Sequence, residues 1–133
     1  MILLTGCGSS SEQKQNKNEE TAEENKEEDK VQIGLTVDSF VIERWIRDRD
    51  VFVATARELG AEVNVQDAGA DVKEQISQIE YFINKQVDVI VVIARDCGAL
   101  SDAIQKAQSA GIPVISYDRM VNNANTDLYI SFV

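Results

Sequence analysis

The sequence predicts an α/β fold in which a parallel sheet lies between two layers of helices, a three-layer αβα sandwich. From residue 31 onward, short apolar runs of strand length alternate with longer segments whose apolar residues recur at helical spacing. One run, residues 87–94, is almost continuously apolar, which is typical of a strand covered on both faces. Strands that alternate with helices in this way form a parallel sheet through right-handed crossovers.

Five strands are predicted, and their expected order across the sheet is 2-1-3-4-5. The first is the branched apolar run 31–37, and the second, residues 61–66, alternates apolar and polar side chains. The apolar run 87–94 is the third strand. Residues 112–117 and 128–132 are the fourth and fifth.

Three helices are predicted between the strands. Residues 42–59 form the first, and Gly60 follows as its C-cap. Asp71, with Glu74 three residues later, marks the start of the second helix. Gly111 ends the third. The apolar stripes of the three helices are formed by Trp45, Phe52, Val53, Ala56 and Leu59; by Val72, Ile76, Ile79, Phe82 and Ile83; and by Leu100, Ala103, Ile104, Ala107 and Ala110.

The composition argues against several classes of function. The chain of 133 residues carries a net charge of -10, whereas a nucleic-acid partner needs clustered Lys and Arg. It has no histidine, which excludes Ser-His-Asp and Cys-His catalysis and the common zinc sites. Cys7 and Cys97 lie far apart, so a disulfide framework is not expected. We expect no metal, no cofactor and no enzymatic activity, since no nucleophile–base pair or phosphate loop is evident.

The first thirty residues differ from the rest of the chain. Residues 4–7, Leu-Thr-Gly-Cys, resemble the bacterial lipoprotein box, in which the cysteine is lipidated and becomes the new N-terminus. Residues 8–30 contain no large apolar side chain, a composition typical of a disordered, solvated tether. The expected organisation is therefore a signal-peptide remnant over 1–7, a tether over 8–30 and a folded lobe over 31–133. Lipidated Cys7 would anchor the protein to the outer face of the cell membrane.

Polar and aromatic side chains gather where ligands bind in such sheets, beyond the carboxyl ends of the strands. Asp118 and Arg119 follow the fourth strand, Phe40 follows the first, and Arg44 and Trp45 begin the first helix. Carboxylates and guanidinium groups bind hydroxyls, and aromatic rings cover C–H faces. From the residues alone this is a polar-ligand site. Surface ion pairs, a solvated helix face and, for Trp45, core packing remain open alternatives.

Residues 31–132 resemble the N-terminal lobe of bacterial D-xylose-binding proteins, which are ribose- and galactose-type periplasmic sugar-binding proteins of ABC transporters. The resemblance implies the type I periplasmic-binding-protein fold. It also implies that Arg44, Asp118 and Arg119 bind the pentose and that Trp45 stacks on its ring, with Phe40 as a further candidate. The matching segments are residues 42–45 (IERW), 48–50 (DRD), 75–80 (QISQIE), 111–112 (GI), 117–120 (YDRM) and 129–132 (YISF).

The chain departs from the family pattern in two places. After the third strand it has Ala94-Arg95-Asp96-Cys97, where a small polar turn is expected, and Cys97 is interpreted as an inert small residue. The family also has two lobes that close on the sugar, whereas this chain ends where it would cross to the second. We therefore expect a truncated lobe that binds sugar weakly or not at all and associates with itself through its uncovered surfaces.

The resemblance implies a receptor that delivers D-xylose or a related pentose to the permease of an ABC importer without performing chemistry. A sensory role, in which the protein docks on a membrane histidine kinase, is the main alternative. A response-regulator receiver domain is a further alternative, which would need paired acids after the first strand and a lysine after the fifth. The sequence has a single acid, Asp38, after the first strand and no lysine after the fifth, so this class is disfavoured. The effector domain of a repressor is disfavoured because no helix-turn-helix precedes residue 31.

Overall fold

The sheet has five parallel strands, as the sequence predicts. In the computed structural model, which describes residues 30–122 and 124–130, the sheet order is β2-β1-β3-β4-β5. Every neighbouring pair of strands is parallel, so the predicted fold class and strand order are confirmed. The strands are β1 (Val31–Val37), β2 (Ala61–Asp67), β3 (Val89–Ile93), β4 (Val114–Tyr117) and β5 (Leu128–Ile130).

Differences from the predicted strands are confined to their ends. The third and fourth strands begin at Val89 and Val114, later than the predicted residues 87 and 112. The prediction counted buried apolar residues that precede each strand, because Val87 and Ile112 contribute to the core without pairing in the sheet. The predicted end of the fifth strand, and the whole segment 1–29, lie outside the described residues.

Three helices connect the strands: α1 (Glu43–Glu58), α2 (Val72–Lys85) and α3 (Ser101–Ser109). The Asp71 side chain caps α2 by accepting hydrogen bonds from the backbone N–H groups of Lys73 and Glu74, which confirms the predicted helix start. Gly60 after α1 and Gly111 after α3 have φ angles of 84° and 81°, a region that favours glycine. None of the described helices is long and apolar enough to cross a membrane.

Side chains on the two faces of the sheet form two separate apolar clusters. On one face α2 and α3 contribute buried residues such as Phe82 and Ile104, packed against Ile90 of β3. On the other face Trp45 of α1 packs against Val37 and neighbouring strand residues. The alternation along β3 sends successive side chains to opposite clusters, which explains its continuous apolar sequence.

Helix α1 covers its face of the sheet only in part. An apolar groove of about 560 Å³ runs between α1 and the strands, lined by Leu35, Val91 and Ile93. Val51 of α1 and Leu59, the C-cap of that helix, also line this groove and are exposed. An apolar surface of this kind is the feature that favours association with another polypeptide surface. Self-association of the chain remains a prediction.

A buried amide network joins α2 to the carboxyl ends of two strands. The Gln78 side-chain oxygen accepts a hydrogen bond from the Thr36 hydroxyl at 2.7 Å. The Gln75 amide donates to the Ile93 carbonyl at 2.9 Å and accepts from the Arg95 backbone N–H at 2.8 Å. Because buried amides that lose a partner are costly, this network fixes the start of the loop after β3.

Gly34 lies where β1 passes directly under α2, so it provides a sharp test of this packing. A Cβ at Gly34 would lie 2.6–2.8 Å from ring atoms of the fully buried Phe82. We expect Gly34→Ala to lower the free energy of unfolding by about 1–3 kcal/mol, because the ring cannot move without disturbing its neighbours. Gly98→Ala is the matched control, since its Cβ would meet only Asp96 Oδ1 at an ordinary 3.5 Å. Urea unfolding that gives both variants the same stability would contradict this account.

Candidate functional site

Charged side chains from four elements meet at the carboxyl edge of the sheet. Asp38 follows β1 and Arg95 follows β3. Asp118 and Arg119 follow β4, while Arg44 lies in the first turn of α1. Because the strands are parallel, their carboxyl ends share this edge, and the ion pairs described below show that these side chains are in contact.

Arg119 is held by three contacts from three different elements. Its Nη1 donates hydrogen bonds to Asp38 Oδ2 at 2.9 Å and to the Ala94 carbonyl at 2.8 Å. Its guanidinium carbon also lies 4.8 Å from the centroid of the Trp45 ring, a cation–π distance. Arg119 therefore joins the ends of β1, β3 and β4 to the start of α1.

A second ion pair lies beside the first. Arg44 Nη2 is 2.6 Å from Asp118 Oδ1, and Arg44 Nε is 3.9 Å from Asp48 Oδ2. The Asp118 backbone has a φ of 63°, in the left-handed region, which aspartate tolerates better than most residues. Its N–H donates to the Ile130 carbonyl at 2.7 Å. This bend at the end of β4 places the Asp118 carboxylate next to α1.

Trp45 lies in the core, with 1% of its surface exposed. It packs with Leu35, Val37 and Ile93, and Arg119 covers its ring. Core packing, the alternative left open by the sequence, therefore describes its position in this structure. Stacking of Trp45 on a ligand remains a prediction, and it would require a neighbouring group to move off the ring.

Phe40, the other aromatic candidate, is partly buried at the edge of the same cluster. The guanidinium carbon of Arg49 lies 4.8 Å from the centroid of its ring. Its candidate role in ligand binding also remains a prediction. The predicted lipidation site, Cys7, lies outside the described residues, and Cys97 is a partly buried free thiol. Among the described residues, no group of three or more Cys, Asp and Glu is arranged to hold a metal ion.

Four residues of this edge were not selected as site residues from the sequence: Asp38, Asp48, Arg95 and Tyr117. Asp38 is 2% exposed, and its Oδ1 lies 3.6 Å from Arg95 Nη1. The Tyr117 hydroxyl donates to Asp48 Oδ2 at 3.1 Å. Burial, together with this hydrogen bond and the Asp48 charge, raises the pKa of Tyr117 to about 12. The sequence feature that could have identified Asp38 and Arg95 as site residues is their position directly after strands 1 and 3.

A doubly wound lobe with charged groups gathered at its carboxyl edge defines a class of ligand-binding domain. Residues 33–133 match the family described as periplasmic binding protein domain. This match covers most of the chain, so the chain belongs to the periplasmic binding protein family. The predicted membership of this family is thereby confirmed.

Among the relatives are proteins named for a sugar that they bind and one solved with a sugar bound. A D-xylose-binding periplasmic protein of Haemophilus influenzae is 49% identical over 102 residues, which cover 77% of this chain and 31% of that protein. A solved ABC-transporter solute-binding protein of Clostridium phytofermentans, with bound β-D-glucose, has a TM-score of 0.73 and 29% identity, and the match covers 76% of this chain and 32% of that one. The fructose-binding periplasmic domain of a hybrid two-component system has a TM-score of 0.67 and 25% identity. That match covers 74% of this chain and 33% of the other. The chain thus spans about a third of the length of these relatives.

The raised pKa of Tyr117 gives a prediction about alkaline stability. Its folded-state pKa of about 12 lies above the usual 10.0, so the fold favours the protonated phenol. The stability that Tyr117 contributes is therefore fully present below pH 10 and lost as the pH rises towards 12. We expect the free energy of unfolding to fall more steeply across this range in the wild type than in Tyr117→Phe.

Urea unfolding at a series of pH values, with phenolate absorbance as a second signal, measures this difference. Tyr81→Phe is the control, because it also removes one phenol and leaves the contact with Asp48 in place. Parallel pH profiles for the wild type and Tyr117→Phe would contradict the raised pKa of Tyr117.

Proposed function

We propose that this chain forms one wall of a site for D-xylose or a related pentose, as part of the extracytoplasmic receptor of an ABC importer. The observation that carries the proposal is the pairing of Arg44 with Asp118 next to Arg119 at the carboxyl edge. The name of the Haemophilus influenzae relative supports xylose as the ligand. The receptor would bind and release its sugar without chemistry, by closing about a hinge.

The groups of this edge suit a ring of hydroxyls. One sugar hydroxyl can donate to the Asp118 carboxylate while its neighbour accepts from Arg44, since the two side chains are 2.6 Å apart. Arg119 uses Nη1 for both of its hydrogen bonds to described residues, so its Nε and Nη2 hydrogens can donate to a ligand. Both arginine side chains reach solvent, with exposed fractions of 46% and 33%.

The charge balance of the edge favours an uncharged ligand. Among the described residues, the ion pairs of this edge involve three arginines and three aspartates, so the formal charges of +3 and −3 sum to zero. A sugar acid or sugar phosphate would upset this balance, whereas a neutral pentose would not. The arginines are Arg44, Arg95 and Arg119, and the aspartates are Asp38, Asp48 and Asp118.

A sensory role is the second candidate. The structural similarity to a fructose-binding periplasmic domain of a hybrid two-component system favours it, since the same fold there belongs to a signalling protein. Either role uses the same sugar-binding edge, so the two differ only in the membrane partner. Copurification of the chain with a transporter permease or with a sensor kinase distinguishes them.

The sugar site is tested by NMR titration of the 133-residue chain with D-xylose, with D-ribose and D-glucose for comparison. We expect a dissociation constant in the millimolar range, because a single wall leaves much of the sugar hydrated. Amide shifts should be confined to residues 38–45 and 117–120. Asp118→Asn should weaken binding at least about tenfold, since it removes the charged hydrogen-bond acceptor.

Asp50→Asn is the matched control for that titration. Asp50 lies on α1, is paired with Arg49 and is exposed, so its substitution should leave the affinity for xylose unchanged. Micromolar affinity for the isolated chain, or shifts elsewhere on the surface, would contradict the proposal of a single wall at this edge.

We also propose that Cys7 carries a lipid that holds the protein on the outer face of the cell membrane, with residues 8–30 as a tether. The support is the Leu-Thr-Gly-Cys sequence and the polar composition that follows it. We expect palmitate supplied to the producing cells to label the wild-type chain, because the thiol of Cys7 is the acceptor. Cys7→Ser should abolish the label, and Cys97→Ser should not. Equal labelling of both variants would rule out the anchor.

A further inference from the structure

We propose that Asp38 is the positioning residue of this site. Its carboxylate holds the Arg119 guanidinium on the Trp45 ring and so keeps the remaining N–H groups of Arg119 available to a ligand. The inference rests on the proposed sugar-binding function and adds to it a residue that acts through Arg119. Three features of Asp38 support this role: its burial, the cations that face it and the hydrogen bonds that fix its backbone.

Burial makes Asp38 dependent on a cation. At 2% exposure, a carboxylate has lost almost all of its hydration, and it is stable only when paired and hydrogen-bonded. Arg119 Nη1 bonds its Oδ2 at 2.9 Å, whereas Arg95 Nη1 lies 3.6 Å from its Oδ1. No hydrogen-bond partner of that Oδ1 occurs among the described residues. Arg119 therefore supplies the one side-chain hydrogen bond that this carboxylate receives in the described structure.

The Asp38 backbone is fixed by hydrogen bonds to its neighbours. Its N–H donates to the Ile93 carbonyl at 3.0 Å, and its carbonyl accepts from the Ala70 N–H at 2.8 Å. These hydrogen bonds to β3 and to the loop after β2 fix the backbone that carries the Asp38 carboxylate. A flexible arginine at the end of β4 would otherwise sample many rotamers, so a fixed acceptor is what selects one of them.

Asp38 acts on the ligand through Arg119. A side chain with 2% exposure cannot present its oxygens to a sugar at the surface, whereas the Arg119 side chain is 33% exposed. The Ala94 carbonyl and the Trp45 ring also contact Arg119, but neither carries a negative charge. The carboxylate is the contact that matches the charge of the guanidinium, and charge-assisted hydrogen bonds are the stronger ones.

The experiment compares Asp38→Asn with the control Asp50→Asn in the 133-residue chain. Trp45 is the only tryptophan in the chain, so its fluorescence reports whether Arg119 stays on the ring. The Nε–Hε signal of Arg119 in NMR reports the same contact from the arginine. In Asp38→Asn we expect a shifted Trp45 emission, an averaged Arg119 signal and an affinity for D-xylose about tenfold weaker. Asp50→Asn should change none of the three.

Unchanged Trp45 emission and Arg119 signal in Asp38→Asn would overturn the proposal, because Arg119 would then be held by Ala94 and Trp45 alone. A moved Arg119 with unchanged xylose affinity would also overturn it, since the pair would then be purely structural. Failure of the wild type to bind xylose at concentrations far above the millimolar range would instead contradict the proposed sugar site, and the two spectroscopic signals would still decide whether Asp38 holds Arg119.

Loss of folding in Asp38→Asn has its own control, the double variant Asp38→Asn with Arg119→Gln. Recovery of the folded state in the double variant would show that the damage came from an Arg119 charge without its partner, as the proposal requires. If the double variant also fails to fold, Asp38 serves the fold in some way other than by pairing with Arg119, and the proposal is wrong.

Discussion

The carboxyl edge of this protein is organised around the negative charge of Asp38. The carboxylate lies almost completely out of solvent at the end of β1, and it bonds Arg119 from the end of β4. Removing Arg119 would leave this carboxylate out of solvent without a cation to bond it, which is destabilising. The same arginine also bonds the carbonyl of Ala94, the first residue after β3, and covers Trp45, so one pair of charges joins three strand ends and a helix.

The sheet topology makes this arrangement available. The order β2-β1-β3-β4-β5 sets β1, β3 and β4 side by side, and their loops share one edge. The amide network of Gln75 and Gln78 fixes the ends of β1 and β3 from the α2 side. The edge is therefore preorganised, and it presents Arg44 and Asp118 as a neutral pair beside Arg119. Preorganisation of this kind lowers the entropy lost when a small polar ligand binds.

The sequence predicted the fold well because each strand and helix is marked by a pattern within its own residues. The branched apolar run 31–37 forms β1 at the same residues, and Asp71 caps α2 as its position before an apolar stripe suggested. Trp45 could not be assigned in this way, since its place in the stripe of α1 fits both core packing and a site at the helix start. Only the three-dimensional structure shows Arg119 lying over its ring.

The sequence predicted which residues lie near the candidate site, but it did not predict which of them contact one another. Position after a strand identified Asp118 and Arg119, but Asp38 and Arg119 are separated by 81 residues, and no periodicity connects them. Likewise, the hydrogen bond from Tyr117 to Asp48 spans 69 residues and depends on how α1 packs against β4. Contacts of this kind follow from tertiary packing, which residue patterns within one element do not encode.

We propose that Arg44, Asp118 and Arg119 bind a sugar at this edge, and a crystal structure of the chain with D-xylose at saturating concentration decides whether they do. We expect sugar hydroxyls within hydrogen-bonding distance of all three side chains, and we expect Arg119 to keep its bond to Asp38. Xylose bound in the groove beside α1, or at any site that leaves these three side chains without contact to it, would show that the proposed sugar site is wrong.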